Sequence, residues 1–198
     1  MYQLSDWDKV VEFHGHICPG LAVGYRAALA ALRELQVSRS EDEQLVAIVE
    51  NDACGVDAIQ VLTGCSFGKG NLIFRDYGKH VFTIGRRSDG KAVRISIKKK
   101  NRVENKNYYV LIKSVLNGNA TEEDKKTFKK IHKEKTERIL NAPEEEILEI
   151  THVTLDLPRK AQIFQSVECA ICGETVMEPR ARIQNGKIIC IPCSSLST

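Results

Sequence analysis

The sequence predicts an α+β protein with a small zinc-binding module at its C-terminal end. Three observations support this prediction. Residues 1–163 alternate between helical and strand-like patterns, and the hydrophobic content of 42% over 198 residues is sufficient for a packed core. Four of the seven cysteines fall in the last part of the chain, residues 164–198. We therefore predict two domains, a core over residues 1–163 and a cysteine module over residues 164–198.

Helices and strands follow one another along the core domain. Residues 21–35 are rich in helix formers and repeat apolar side chains at helical spacing, which predicts a helix. Residues 45–49 have the length and β-branched content of a buried strand. The further predicted elements are a helix over 56–63, strands over 71–74, 81–85 and 92–97, a helix from Thr121 to about residue 140 that begins with a capping box, a short turn or helix at Pro143, and a strand over 150–157.

A cluster of metal-binding residue types precedes the first predicted helix. It reads Phe13-His14-Gly15-His16-Ile17-Cys18-Pro19-Gly20. Imidazole and thiolate groups suit zinc, copper, nickel or iron, and Gly15 lets the backbone bend so that the side chains converge. Since Cys18 stands at a helix start, we expect the helix dipole to lower the pKa of its thiol. The cluster predicts a metal or thiol site.

Cys54 is the expected partner of Cys18, because it follows the end of a buried strand, where open sheets place functional groups. Cys65 lies eleven residues further along, or about 16 Å in an unbroken helix, so one ion cannot bind both. Asp52 and Asp57 flank Cys54 and either cap the helix or orient a ligand histidine. The role of Cys65, which lies in a glycine-rich loop, stays open.

The C-terminal module contains two Cys-x-x-Cys pairs separated by 17 residues, which is typical of a four-thiolate zinc site. A hairpin turning at Asn185-Gly186 would return the second pair to the first, and Gly173 permits the chain to fold round the metal. The predicted ligands are Cys169, Cys172, Cys190 and Cys193. A closed four-thiolate site is structural, and metal binding would stabilise a module too short for its own core.

Charge and hydropathy exclude some classes of protein. The net charge of +3, from 29 basic and 26 acidic residues, is too weak to indicate nucleic-acid binding by itself, and the basic run over 98–102 is expected to be a solvated loop. No apolar run is long enough to span a bilayer, and residues 1–6 do not resemble a targeting signal. We expect a cytoplasmic protein without a membrane partner.

Several ordered motifs of the core resemble one known family. They are His14-Gly15-His16-x-Cys18-Pro19-Gly20, Glu50-Asn51-Asp52-x-Cys54, Asp57-Ala58-Ile59-Gln60-Val61-Leu62-Thr63-Gly64-Cys65, Gly68-Lys69-Gly70-Asn71 and Asp76-Tyr77-Gly78-Lys79. The core is similar to FmdE, one of the proteins of formylmethanofuran dehydrogenase, and the cysteine module resembles the treble-clef-type zinc finger that some members append. The resemblance implies a mixed sheet flanked by helices, somewhat thioredoxin-like, a metal-binding active site at the His/Cys motif, and a homodimer. Association with molybdenum or tungsten dehydrogenase subunits is implied for some relatives.

The leading functional hypothesis is a metal-dependent active site in the core. We expect His16 and Cys18 as ligands and Cys54 as a third, with water or substrate completing the coordination of Zn²⁺ or another transition metal. His14 would be a ligand or a general base. An ion with an open position acidifies bound water or polarises a carbonyl, which suits hydrolytic or one-carbon transfer chemistry.

Two other hypotheses remain open from the sequence. Cys18 and Cys54 could exchange electrons as a thiol-disulfide pair. Alternatively, the zinc module could act as an adaptor, contacting a partner subunit or nucleic acid through Arg180, Arg182 and Lys187. The role of His80, which precedes a predicted strand, is not determined.

Overall fold

The computed structural model describes residues 5–98 and 106–195 and divides the chain into two compact units, Met1–Lys160 and Ala161–Thr198. The helices of the first unit are α1 (Asp6–His14), α2 (Pro19–Leu35), α3 (Gly55–Thr63), α4 (Lys106–Leu116), α5 (Glu122–Asn141) and α6 (Glu144–Ile147). Its strands are β1 (Leu45–Val49), β2 (Leu72–Phe74), β3 (Val81–Arg86), β4 (Lys91–Ile97) and β5 (Leu148–Thr154).

The first unit is built on one mixed sheet with the strand order β2-β1-β3-β4-β5. β1 and β2 are parallel, with Ala47 opposite Leu72, whereas the pairs β1–β3, β3–β4 and β4–β5 are antiparallel. β1 is buried along its whole length, as its run of apolar residues predicts. The α+β fold with a mixed sheet flanked by helices is thereby confirmed.

The helices α2 and α3 pack so closely that their backbones touch. A Cβ atom added to Gly24 would lie 2.1 Å from the carbonyl oxygen of Gly55, so no larger residue fits at this crossing. The alanines of α2 are buried around the crossing, and the helix also packs on β3 and β4. Because the contact lies near the N-terminal ends of both helices, it brings Cys18 and Cys54 together.

Arg26 connects α2 to the end of α5. Its Nη1 donates hydrogen bonds of 2.8–2.9 Å to the carbonyl oxygens of Ile139, Leu140 and Ala142. These are carbonyls at a helix C-terminus, which lack partners within the helix and favour a cation. The contact therefore fixes the position of α5 against α2.

Most predicted elements of the core agree with the structure to within two residues, and the capping box at Thr121 is present. The predicted strand over 150–157 begins and ends earlier, as β5. Beyond Thr154 the chain leaves the sheet edge, and Leu157 packs over Gly85. The helices α1 and α4 were not predicted. Of the basic run over 98–102, all but Lys98 lies outside the described residues.

The second unit consists of two short hairpins and a final helical turn. Its elements are β6 (Ser166–Glu168), β7 (Thr175–Met177), a 3-10 turn (Glu178–Arg180), β8 (Arg182–Gln184), β9 (Lys187–Ile189) and α7 (Ile191–Ser195). Asn185 and Gly186 both have positive φ, 51° and 74°, which confirms the predicted turn between β8 and β9. Among the described helices of the whole chain, none has the length and apolarity needed to cross a bilayer.

Candidate metal centres

His14 and Cys18 are placed by the junction between two helices. α1 ends at His14, and Gly15 adopts the left-handed conformation with φ 85°, which turns the chain as its sequence position predicts. Cys18 is the N-cap of α2, and Pro19 occupies the first helical turn. The junction therefore holds an imidazole from the end of one helix beside a sulfur from the start of the next.

Cys54 reaches the same point from the sheet. It follows β1 and stands immediately before α3. The connecting turn is fixed by buried Asn51, which accepts a hydrogen bond from the backbone of Ala53 and donates one to the carbonyl of Lys79. Cys54 also packs against Gly20, at whose position a Cβ would lie 3.3 Å from the Cβ of Cys54.

The ligand atoms of His14, Cys18 and Cys54 lie within 4.8 Å of one another. The distance between His14 Nε2 and Cys18 Sγ is 3.8 Å. In tetrahedral zinc sites, ligand atoms at normal bond lengths are roughly 3.5–3.8 Å apart, so the three atoms fit one ion after small adjustments. The site is shielded, since Cys18 is 4% exposed and the His14 side chain 10% exposed. Two sulfurs and one imidazole suit zinc and other transition metals.

Asp57 orients the His14 ring. Its Oδ2 lies 2.7 Å from His14 Nδ1, while Gln60 donates a hydrogen bond to its other oxygen. A carboxylate accepting the Nδ1 proton leaves Nε2 as the acceptor, and Nε2 is the nitrogen that faces Cys18. Of the two roles considered for Asp57, the structure shows the orientation of the histidine, because no side chain caps α3.

The thiol of Cys18 differs from our expectation. Its sulfur does accept a hydrogen bond of 3.3 Å from the amide of Leu21, as a helix N-cap should. Burial, followed by the charge of the adjacent Cys54, outweighs this donor and raises the pKa of Cys18 to about 11. Without a metal ion, the Cys18 thiol is therefore protonated at neutral pH, and the expected lowering of its pKa by the helix dipole was wrong.

His16 is exposed and lies outside the group of three converging ligand atoms in the described chain. Its ring stacks on His14, with 4.3 Å between the ring centroids. The expected ligand set named His16 and left His14 undecided, whereas the structure brings His14 to the two sulfurs. The difference arises because the helix ends at His14 and Gly15 turns the following residues outward.

Two residues beside the site were not singled out from the sequence. Tyr108 Oη lies 2.8 Å from Nδ1 of His132. Burial raises the pKa of Tyr108, and the nearby Cys18 adds to the shift. Burial also lowers the pKa of His132, with further contributions from His16 and Lys135. Only the helical spacing of Phe128, His132 and Thr136 could have indicated that His132 faces inward.

The remaining candidates lie away from the three ligand atoms. Cys65 is completely buried, and burial raises the pKa of its thiol. His80 and Asp52 are exposed. None of these three belongs to a cluster of potential ligands within the described residues.

The four cysteines of the second unit converge. The sulfurs of Cys169, Cys172, Cys190 and Cys193 lie within 4.8 Å of one another, and Gly173 has a φ of 73° in the turn after the first pair. Backbone amides of Cys172, Cys190 and Ile171 lower the pKa of Cys169 to about 6. The hydrogen bond with Cys190, followed by burial, raises the pKa of Cys193 to about 12, and the charge of the nearby Cys169 adds to the shift. A divalent cation bound by the four sulfurs would allow them to lie together as thiolates.

Comparison with known proteins identifies the family. Residues 13–149, more than half of the chain, match a family model described as "FmdE, Molybdenum formylmethanofuran dehydrogenase operon". The chain belongs to the FmdE family. Residues 162–195 match a second model, "Prokaryotic dksA/traR C4-type zinc finger", which together with the sulfur cluster supports a structural zinc ion in this FmdE protein.

A named relative and a solved structure are also similar to this chain. The FmdE chain is 36% identical over 193 residues to a protein of Archaeoglobus fulgidus named "Probable S-adenosyl-L-methionine-binding protein", covering 94% of this chain and 51% of the relative. The chain thus spans about half the length of that relative. A crystal structure from Syntrophus aciditrophicus, described as that of a "tungsten formylmethanofuran dehydrogenase subunit e (fmde)-like protein", is 26% identical, with a TM-score of 0.64 and coverage of 96% of this chain and 90% of the other.

Proposed function

We propose that this FmdE protein binds two metal ions, a structural zinc in the C-terminal finger and a reactive transition metal in the core. The core ion is held by His14, Cys18 and Cys54, and zinc fits this donor set. The observation that carries the proposal is the convergence of the three ligand atoms, within 4.8 Å, from α1, α2 and the turn before α3. Three protein ligands leave a fourth tetrahedral position for water or substrate.

The surroundings of His14 support its role as a ligand. Metal-binding histidines usually donate their second ring nitrogen to a carboxylate or carbonyl, and Asp57 occupies that place at 2.7 Å. An Asp-His pair with two sulfurs beside the other nitrogen is difficult to explain as core packing, since it brings four polar groups into one shielded position.

His16 is proposed as the residue that receives or supplies a proton at this centre. It is exposed, stacks on His14 and lies two residues before Cys18, and we infer that a side-chain rotation would bring its ring to a group bound at the fourth position. The metal ion would supply Lewis acidity there. This division of roles suits hydrolysis or one-carbon transfer, the two reaction classes that the residues favour.

The names of the relatives suggest partners but do not assign them. We extend the proposal to a homodimer and to association with subunits of a formylmethanofuran dehydrogenase, since the family description refers to that operon. S-adenosylmethionine is not included, because the relative named for it is about twice as long as the matched region.

Metal content of the full-length protein tests the core site. After equilibration with zinc and removal of the excess, the unmodified chain should retain two ions. His14→Ala and Cys54→Ser should each retain one, because two ligands bind zinc much more weakly than three. Cys65→Ser is the matched control for Cys54→Ser and should retain two. A Cys172→Ser, Cys193→Ser double variant should also retain one ion, which identifies the second site.

The outcome is decisive in either direction. A single ion in the unmodified chain, or two ions in Cys54→Ser, would contradict the core site. His16→Ala should still retain two ions, which separates the proposed ligand set from one that uses His16. Circular dichroism of each variant verifies that the fold is intact.

A further inference from the structure

A cavity of about 430 Å³ opens in the first unit between α1, α5 and the segment leading into α2. Cavities of this size accept small organic molecules. Trp7, Ile17 and Leu140 contribute apolar surface, and Phe128 and His132 of α5 add two rings whose centroids are 4.7 Å apart. The wall is therefore mainly aromatic and aliphatic.

The rim of the cavity is positively charged. Lys129 and Lys133 line it from α5, together with Glu137. Glu137 is paired with Lys133 at 3.8 Å. Lys129 forms no ion pair with an acid in residues 5–98 or 106–195. One lysine thus remains to attract an anion at the edge of an apolar cavity.

The His132 ring is held firmly in this wall. Tyr108 Oη lies 2.8 Å from its Nδ1, and the ammonium of Lys135 lies 3.5 Å from the centre of the Tyr108 ring. These contacts leave Nε2 of His132 as its remaining polar atom. A ligand would therefore meet a fixed aromatic surface in this part of the wall.

Two lining residues of the cavity belong to the segments that carry the core ligands. Ile17 stands between His16 and Cys18, and Trp7 belongs to α1, which ends at His14. Trp7 packs edge to face on Tyr25 of α2 at 5.1 Å, so the wall is anchored to the helix that carries Cys18. A molecule in the cavity would lie beside the metal-binding segment.

We propose that this cavity binds an organic anion with an aromatic body, placing its carboxylate near Lys129, and that it is the substrate pocket of the core metal centre. The proposal that the anion binds depends on the cavity alone. Its assignment as a substrate pocket rests on the metal centre proposed above. The apolar wall would bind the aromatic body, while the lysine selects the charge.

The single tryptophan of the chain reports directly on this cavity, because it is Trp7. The full-length protein is titrated with 3-phenylpropionate, which leaves tryptophan emission unobscured. A saturable change in Trp7 emission is expected. The neutral analogue 3-phenylpropanol should bind about fivefold more weakly, the ratio expected for one solvent-exposed ion pair. Propionate should bind still more weakly, because it lacks the aromatic ring.

Two matched pairs of variants locate the binding site. Lys129→Glu should weaken binding of 3-phenylpropionate about tenfold, whereas Lys126→Glu, the same charge change at an exposed position of α5, should leave it unchanged. Ile17→Ser should weaken it, whereas Leu116→Ser should not. Both residues are exposed, at 52% and 79%, so neither change affects the core.

Each result has a definite meaning. An absent or non-saturable response, equal binding of the alcohol, or equal effects of Lys129→Glu and Lys126→Glu would overturn the proposal. Repeating the titration with Cys54→Ser separates it from the metal site, since the cavity should still bind 3-phenylpropionate when the core metal is lost. If the unmodified chain binds the probe but retains one metal ion, the pocket stands as a binding site and its assignment to a metal centre fails.

Discussion

The contact between Asp57 and His14 gives the sharpest test of how the core site is built. In Asp57→Asn, the side chain keeps its size and an oxygen for Gln60, but it loses the charge that holds the Nδ1 proton of His14. Loss of such a partner typically costs 10–100-fold in metal affinity. Because the Asp57 side chain is 33% exposed, water partly replaces it, and we expect about tenfold, or about 1.4 kcal/mol.

The assay is a competition titration on the full-length protein. The finger is first filled with zinc, and the core is then titrated with cobalt against a chromophoric chelator, following the thiolate-to-cobalt absorption. Asp52→Asn is the matched control, because it removes the same charge on the other side of Cys54 from an exposed position. Equal affinities of Asp57→Asn and the unmodified protein, or equal losses in both variants, would refute the reasoning.

Since burial raises the pKa of Cys18 to about 11, an incoming metal ion must displace the proton of this thiol. The affinity of the core site for metal should therefore rise at least about tenfold per pH unit from pH 6 to 9 in the cobalt titration, and an affinity independent of pH would contradict this. Gly24→Ala should lower the free energy of unfolding in urea by about 3 kcal/mol, because the added Cβ would lie 2.1 Å from the carbonyl oxygen of Gly55. The control Gly68→Ala, whose Cβ would have no atom within 4 Å, should lower it by less than about 0.5 kcal/mol. Arg26→Met should lower the free energy of unfolding by about 2 kcal/mol, since it leaves three carbonyl oxygens without their hydrogen-bond donor. If the exposed control variant Lys9→Met lowered the free energy of unfolding by as much, the result would count against a stabilising role of the Arg26 contact. Strong chelators should abolish amide protection in residues 166–195 while β1 and β3 stay protected in hydrogen exchange; loss of protection in both units together would show that the finger is not a separate metal-dependent module.

The elements with strong local signals could be predicted from the sequence. β1 is a short β-branched run, α5 begins with a capping box at Thr121, and the turn at Asn185-Gly186 has residues that tolerate positive φ. In contrast, α4 contains Tyr, Val and Ile residues that also favour strands, and its packing against α5 decides its structure. α1 is only nine residues long and mainly polar, so its periodicity is weak.

The same distinction between local sequence signals and long-range packing applies to the metal site. The residue types of the His/Cys motif could be recognised in the sequence, and the proximity of Cys54 to Cys18 could be expected because Cys54 follows a buried strand. The choice between His14 and His16, however, depends on where α1 ends. The function of Asp57 depends on the packing of α1 against α3, which no local pattern encodes. The pKa of Cys18 was mispredicted because a helix N-terminus can be recognised in the sequence, whereas the burial of the thiol and the proximity of Cys54 cannot.

Anomalous scattering at the zinc edge from crystals of the zinc-loaded, full-length protein tests the central claim most directly. We predict two peaks per chain. One should lie among the four sulfurs of the finger, and the other within about 2.0–2.3 Å of His14 Nε2, Cys18 Sγ and Cys54 Sγ. A single peak at the finger, or a second peak bound to His16 instead of His14, would contradict the account.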